Sequence, residues 1–178
     1  MKIQEDIAKH SSLEERLRKQ ALRVWITAMI LVALWPLSMA AAPIFASNGI
    51  TDISAYIYTV FSFICHQNPE RSYHLLGNPI AVCARCFGVY FGLFLGFIVY
   101  VMFIKVDDIE PPSRIWLVLS LIPIGIDWTL GFFGIWENTH LSRFVTGGIL
   151  GTICTMYLVP AFVEIRRNQT LGKLRRAS

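Results

Sequence analysis

The chain has 178 residues, 54% of them hydrophobic and 16% charged, with a mean hydropathy of +0.52. A disordered chain is excluded, because disorder needs low hydrophobicity and high charge. A soluble domain is also disfavoured: residues free of Asp, Glu, Lys and Arg run in blocks at 24–51, 53–69, 86–104, 115–126, 128–136 and 144–163, and a membrane-spanning helix needs about 17–25 such residues.

The first 23 residues are charged and predict an amphipathic helix on the cytoplasmic surface. Ser12 with Glu15 has the spacing of a capping box, and Glu14–Arg18 and Glu15–Lys19 are spaced as i,i+4 ion pairs. The next apolar block is longer than the roughly 7–15 residues of a signal-peptide core, so it reads as a retained anchor. The termini carry no lipidation motif.

Four stretches suffice to cross a bilayer: 24–45, 86–104, 115–136 and 144–163. Residues 53–65 do not, because 13 residues make a helix of about 20 Å against a hydrocarbon core of about 30 Å. This stretch predicts a short re-entrant or interfacial helix. The expected fold is therefore an all-α integral membrane protein with about four transmembrane helices and one short helix.

Basic residues test the count. With four spans, the six Lys/Arg before Val24, Lys105, Arg114 and the five after Glu164 share one side, thirteen against three (Arg71, Arg85 and Arg143). Five spans would leave nine against seven. The cytoplasmic excess of Lys and Arg favours four, with both termini in the cytoplasm of a multi-pass cell-membrane protein. Residues 24–164 then form the bundle, and 165–178 a basic cytoplasmic tail. The isoelectric point of about 9.0 reads as a topology signal toward anionic lipid, not as a nucleic-acid footprint.

Gly88, Gly92 and Gly96, and again Gly147 and Gly151, recur at four-residue spacing. Small residues on one helix face let two backbones approach closely. They predict tight helix–helix packing.

The chemistry concentrates in the loop at 65–86. Cys65, His66, Cys83 and Cys86 make a Cys₃His set, with the softness and number of ligands that tetrahedral zinc takes. Three thiolates would leave an excess negative charge, which Arg85, between two of the ligands, would offset. The turn at Gly77-Asn78-Pro79 folds the loop back to bring Cys65 near Cys83. Two other readings stay open. A Cys-x-x-Cys at a helix start can carry a lowered thiol pKa, so a membrane thiol–disulfide oxidoreductase using Cys83 and Cys86 with a quinone fits the same residues. So does a non-catalytic scaffold stapled by one disulfide. Cys154 reads as a packed core thiol.

Asp127 falls near the middle of 115–136, where an ionisable group is costly and normally faces the bundle interior with a partner. Arg71, Arg85 and Arg143 share its side. Guanidinium groups match phosphate and carboxylate oxygens in bidentate fashion, so with Asp127 they make a candidate pocket for an anionic small molecule or lipid head group. Glu137 and His140 stand near enough in sequence to join it. Phosphate-binding loops, zinc-protease and hydrolase motifs are missing, and the sequence leaves open whether the chain is an enzyme. Four spans are few for a channel or transporter unless copies assemble as a homo-oligomer.

The run Cys65-His66-Gln67 with Pro69, Arg71 and Ser72, then Cys83-Ala84-Arg85-Cys86 with Gly88, Tyr90 and Gly92, resembles a family of small prokaryotic membrane proteins catalogued as domain of unknown function 2085. Asp127 through Asn138, Arg143, Thr146 and Gly147 resemble its distal pattern. The likeness covers roughly 56–152. It implies a polytopic helical fold with a signature at the Cys/His segment, and it supplies no established activity.

Overall fold

A computed structural model describes residues 2–177. Five helices occur in chain order: α1 (Lys2–Ser47), α2 (Thr51–Ser62), α3 (Ala84–Phe103), α4 (Ile115–Phe132) and α5 (His140–Ala177). A single 3₁₀ turn (Pro69–Arg71) and a two-stranded hairpin, β1 (His74–Leu75) with β2 (Asn78–Pro79), lie between α2 and α3. α1, α3, α4 and α5 are each long and apolar enough to cross a membrane. At twelve residues α2 is about 18 Å long and is too short to cross, as the sequence predicts.

Two boundaries differ from expectation. α1 runs unbroken from Lys2, so Ser12 lies inside a helix and not at its start. A helix already nucleated upstream has no free N–H groups at that point for a serine to satisfy. The pair Glu15–Lys19 does form, at 2.6 Å. Likewise α5 continues through the basic tail to Ala177.

α3 and α5 form the tightest pair. A methyl group on Gly88 or Gly92 would land in the backbone carbonyl of Phe144 or Gly148, and one on Gly147 or Gly151 in that of Arg85 or Val89. The glycines of the sequence pattern thus let two backbones touch. Thr155 and Thr152 donate across the seam to Leu93 O (2.8 Å) and Gly92 O (3.1 Å). Such bonds stabilise helix pairs where no water competes for the carbonyls.

α2 folds back along α1. The Ser54 hydroxyl donates to Ala42 O at 2.9 Å, and Phe61 meets Trp35 edge to face at 5.4 Å. Pro43 of α1 helps to dock the loop ahead of α3. It has no N–H, which leaves the carbonyl of Met39, four residues earlier, without its helical donor. Ala81 N–H fills that place at 3.2 Å. Met39 is eight residues below Ser47, so the loop is held about 12 Å down α1 from its end. A buried cluster of Met39, Ala42, Phe61, Cys65, Ala81 and Val82 closes this region.

α4 is the least embedded span. It packs on α5, and Tyr157 of α5 donates to Ser113 O at 2.8 Å near its start. At the same end of the bundle Gln20 of α1 bonds Thr170 of α5 at 2.7 Å.

Candidate functional site

The loop between α2 and α3 is shaped by one residue with a left-handed backbone. Gln67 has φ +49°, costly for a side-chain-bearing residue. Its amide offsets that cost by donating twice, to Tyr58 O at 2.7 Å and Ala81 O at 2.8 Å. The two arms of the loop are thereby tied together. Tyr58 O–H adds a short bond to Pro79 O. Asn68 caps the 3₁₀ turn by accepting from Glu70 N–H at 3.0 Å.

The hairpin turn sits at Leu76-Gly77, with φ +53° and +82°, one residue earlier than the sequence suggests. Pro79 confines Asn78 to extended backbone, so Asn78 joins β2 and the two positive-φ places of the turn fall on Leu76 and Gly77.

These elements bring Cys65, Cys83 and Cys86 together, with all three sulfurs within 4.8 Å of one another. Cys65 is buried at 7% exposure and accepts from Cys83 N–H at 3.2 Å. Cys83 occupies the position just before the first turn of α3, and Cys86 faces the same way from that turn. Hydrogen bonds from the thiols of Cys65 and then Cys86 hold Cys83 well below the ordinary thiol range, against the opposing effect of burial. All four cysteines are free thiols. Sulfurs around a tetrahedral zinc at about 2.3 Å stand about 3.8 Å apart, so only a small contraction would close this set on an ion.

His66 is not part of the group. Its side chain is exposed, because neighbouring residues in an irregular loop point apart and Cys65 has taken the inward place. The set the structure gathers is three cysteines, not three cysteines and a histidine. Tyr90 packs against the cluster that holds Cys65 and meets the Trp35 ring at 6.2 Å between centroids, so an aromatic wall stands beside the sulfurs.

Arg85, between Cys83 and Cys86, turns the other way. Its guanidinium forms an ion pair with the Asp127 carboxylate, itself 7% exposed. Asn138 Nδ2 donates to the same oxygen at 3.2 Å, and Gly131 leaves the space that Asn138 fills. Asp127 is not at mid-span. α4 ends at Phe132, with Gly134 at φ +66° just beyond, which places the carboxylate about 7.5 Å from the helix end. A buried carboxylate is costly unless paired, and Arg85 offsets this. Arg85 Nε and Asn138 Oδ1 are buried without partners.

Arg71, Arg85, Asp127 and Cys83 all lie within charge-interaction range of Arg143. Of the residues expected to line an anion pocket, Arg71, Arg85 and Asp127 thus each act on Arg143 through charge. His140 joins them through Nε2 to Glu70 O at 3.1 Å, and Tyr73 O–H donates to His140 O at 3.1 Å. Glu137 is exposed. Cys154 is half-buried in α5. Gln67 and Asn138 are the two site residues that sequence reasoning passed over. Gln67 stands next to His66 in the motif, and a buried amide is invisible until its partners are known.

The family described as "Predicted membrane protein (DUF2085)" matches residues 65–157. An uncharacterized protein of Methanocaldococcus jannaschii is 38% identical over 148 residues, covering 80% of this chain and 95% of its own. An uncharacterized protein of Methanothermobacter thermautotrophicus is 37% identical over 87 residues, covering 49% of this chain and 77% of its own. No solved structure matches.

Proposed function

The chain belongs to this family, domain of unknown function 2085, and on the geometry of its loop we propose that it is a membrane metal-thiolate protein. Cys65, Cys83 and Cys86 bind one thiophilic ion, zinc or a close analogue, beside an arginine-lined pocket for a small anion. The observation that carries this reading is the gathering of three sulfurs within 4.8 Å by a loop whose own hydrogen bonds hold it closed. Soft thiolates select zinc and copper(I) over magnesium or calcium. Three protein ligands leave one tetrahedral position for an exogenous ligand, the pattern of a working rather than a purely structural zinc. Arg143, in charge range of Cys83, and Arg71 supply cationic surroundings for an anion that enters there, while Arg85 is engaged by Asp127. The site then faces outward, and both basic ends of the bundle lie in the cytoplasm.

A second reading has one observation in its favour, the Cys83 and Cys86 sulfurs within 4.8 Å of each other at the start of α3. In a thiol oxidoreductase, Cys83 and Cys86 would form a disulfide and pass two electrons and two protons to a quinone, giving the quinol. Metal content and thiol counting on detergent-purified protein separate the two. The metal reading expects about one zinc or copper per chain, lost in Cys83→Ser and retained in His66→Ala. Protein without metal, with two of the three outer thiols oxidised, supports the second reading and overturns the first.

A further inference from the structure

At the opposite end of the bundle, α1 and α5 leave a groove of about 930 Å³. Arg16, Lys19 and Arg23 line it from α1 and Arg166 from α5, and no acidic residue does. Spacings of three and four put the α1 cations on one face of that helix. Among the described residues, neither Arg16 nor Arg23 has an acidic partner. The same α1 face turns apolar below Arg23, through Val24, Leu31 and Val32, and α5 is apolar just before Arg166, at Phe162 and Ile165. Both helices thus change from apolar to cationic at one height. Gln20 fixes that register by donating to Arg166 O at 3.3 Å as well as to Thr170.

A groove that is greasy at one end and cationic at the other matches one kind of occupant. We propose that it is a binding site for a single anionic phospholipid, its phosphate held by Arg23 and Arg166 and the head of its acyl chains laid against Phe162 and Leu31. Charge complementarity selects the anionic lipid over a zwitterionic one. The apolar floor selects a lipid over free phosphate.

The test is native mass spectrometry of the detergent-solubilised full chain with phosphatidylglycerol and phosphatidylcholine at equal concentration. The expected result is preferential retention of one phosphatidylglycerol, weakened about ten-fold or more in Arg23→Gln/Arg166→Gln and unchanged in Arg175→Gln/Arg176→Gln, which alters the same tail outside the groove. Equal retention of the two lipids would overturn the proposal. So would equal weakening in both double variants, which would mean diffuse attraction. Displacement by glycerol phosphate at the lipid's own concentration would mark the site as one for free phosphate, and Phe162→Ser then leaves binding intact instead of weakening it. Helical content by circular dichroism confirms that each variant is folded.

Discussion

Arg85→Ala is expected to destabilise the protein by about 3–5 kcal/mol, because removing one member of a buried ion pair strands the other charge. Asp127 would keep only the amide of Asn138, in surroundings where a lone carboxylate is costly. The loss should fall on α4, which rests mainly on α5 and is tied to α3 by this pair. Unfolding in mixed detergent micelles measures it, and protease access to the segment after Phe132 should rise in parallel. The double variant Arg85→Met/Asp127→Leu should recover most of the loss, since an apolar pair of similar volume often replaces a buried ion pair without penalty. A loss below about 1 kcal/mol for Arg85→Ala would mean that the pair behaves like a solvated surface bridge.

The second large effect is steric. Gly92→Ala is expected to cost about 1–3 kcal/mol, the usual range for overpacking a tight contact, because its methyl group would occupy the Gly148 carbonyl. Gly151→Ala should behave likewise against Val89, and the two together should part α3 from α5 and with them Arg85 from Arg143. Gly125→Ala supplies the opposite sign. A methyl there meets nothing within 4 Å, and alanine is favoured over glycine in a helix by up to about 1 kcal/mol. The same micelle unfolding assay reads all three. Equal behaviour of Gly92→Ala and Gly125→Ala would contradict the close α3–α5 contact.

The bundle was readable in the sequence because a bilayer imposes one strong rule, a long uncharged run for each crossing. α1, α3 and α5 each contain such a run, α4 has one interrupted by Asp127, and 53–65 fails by length. The glycine pattern named the closest pair of helices, since only small residues permit that approach. Helix ends were harder. Nothing local breaks α1 between Lys2 and Val24 or α5 before Ala177, whereas Gly131 and Gly134 stop α4 early and move Asp127 toward its end. The three cysteines were legible as a group, because soft ligands at Cys-x-x-Cys spacing have few other uses. His66 was not separable from them by composition. Its exclusion depends on the left-handed Gln67 and on which of two adjacent side chains turns inward. The Arg85–Asp127 pair was visible as a neighbourhood of charges but not as a contact, because pairing across 42 residues is decided by how helices dock.

One measurement bears most directly on the three-sulfur site: X-ray absorption at the metal edge of the purified protein. A thiolate ion held by Cys65, Cys83 and Cys86 predicts three sulfur scatterers at about 2.3 Å and one lighter atom, with two sulfurs remaining in Cys65→Ser. A metal surrounded only by oxygen or nitrogen, or no metal beside reduced thiols, would contradict it.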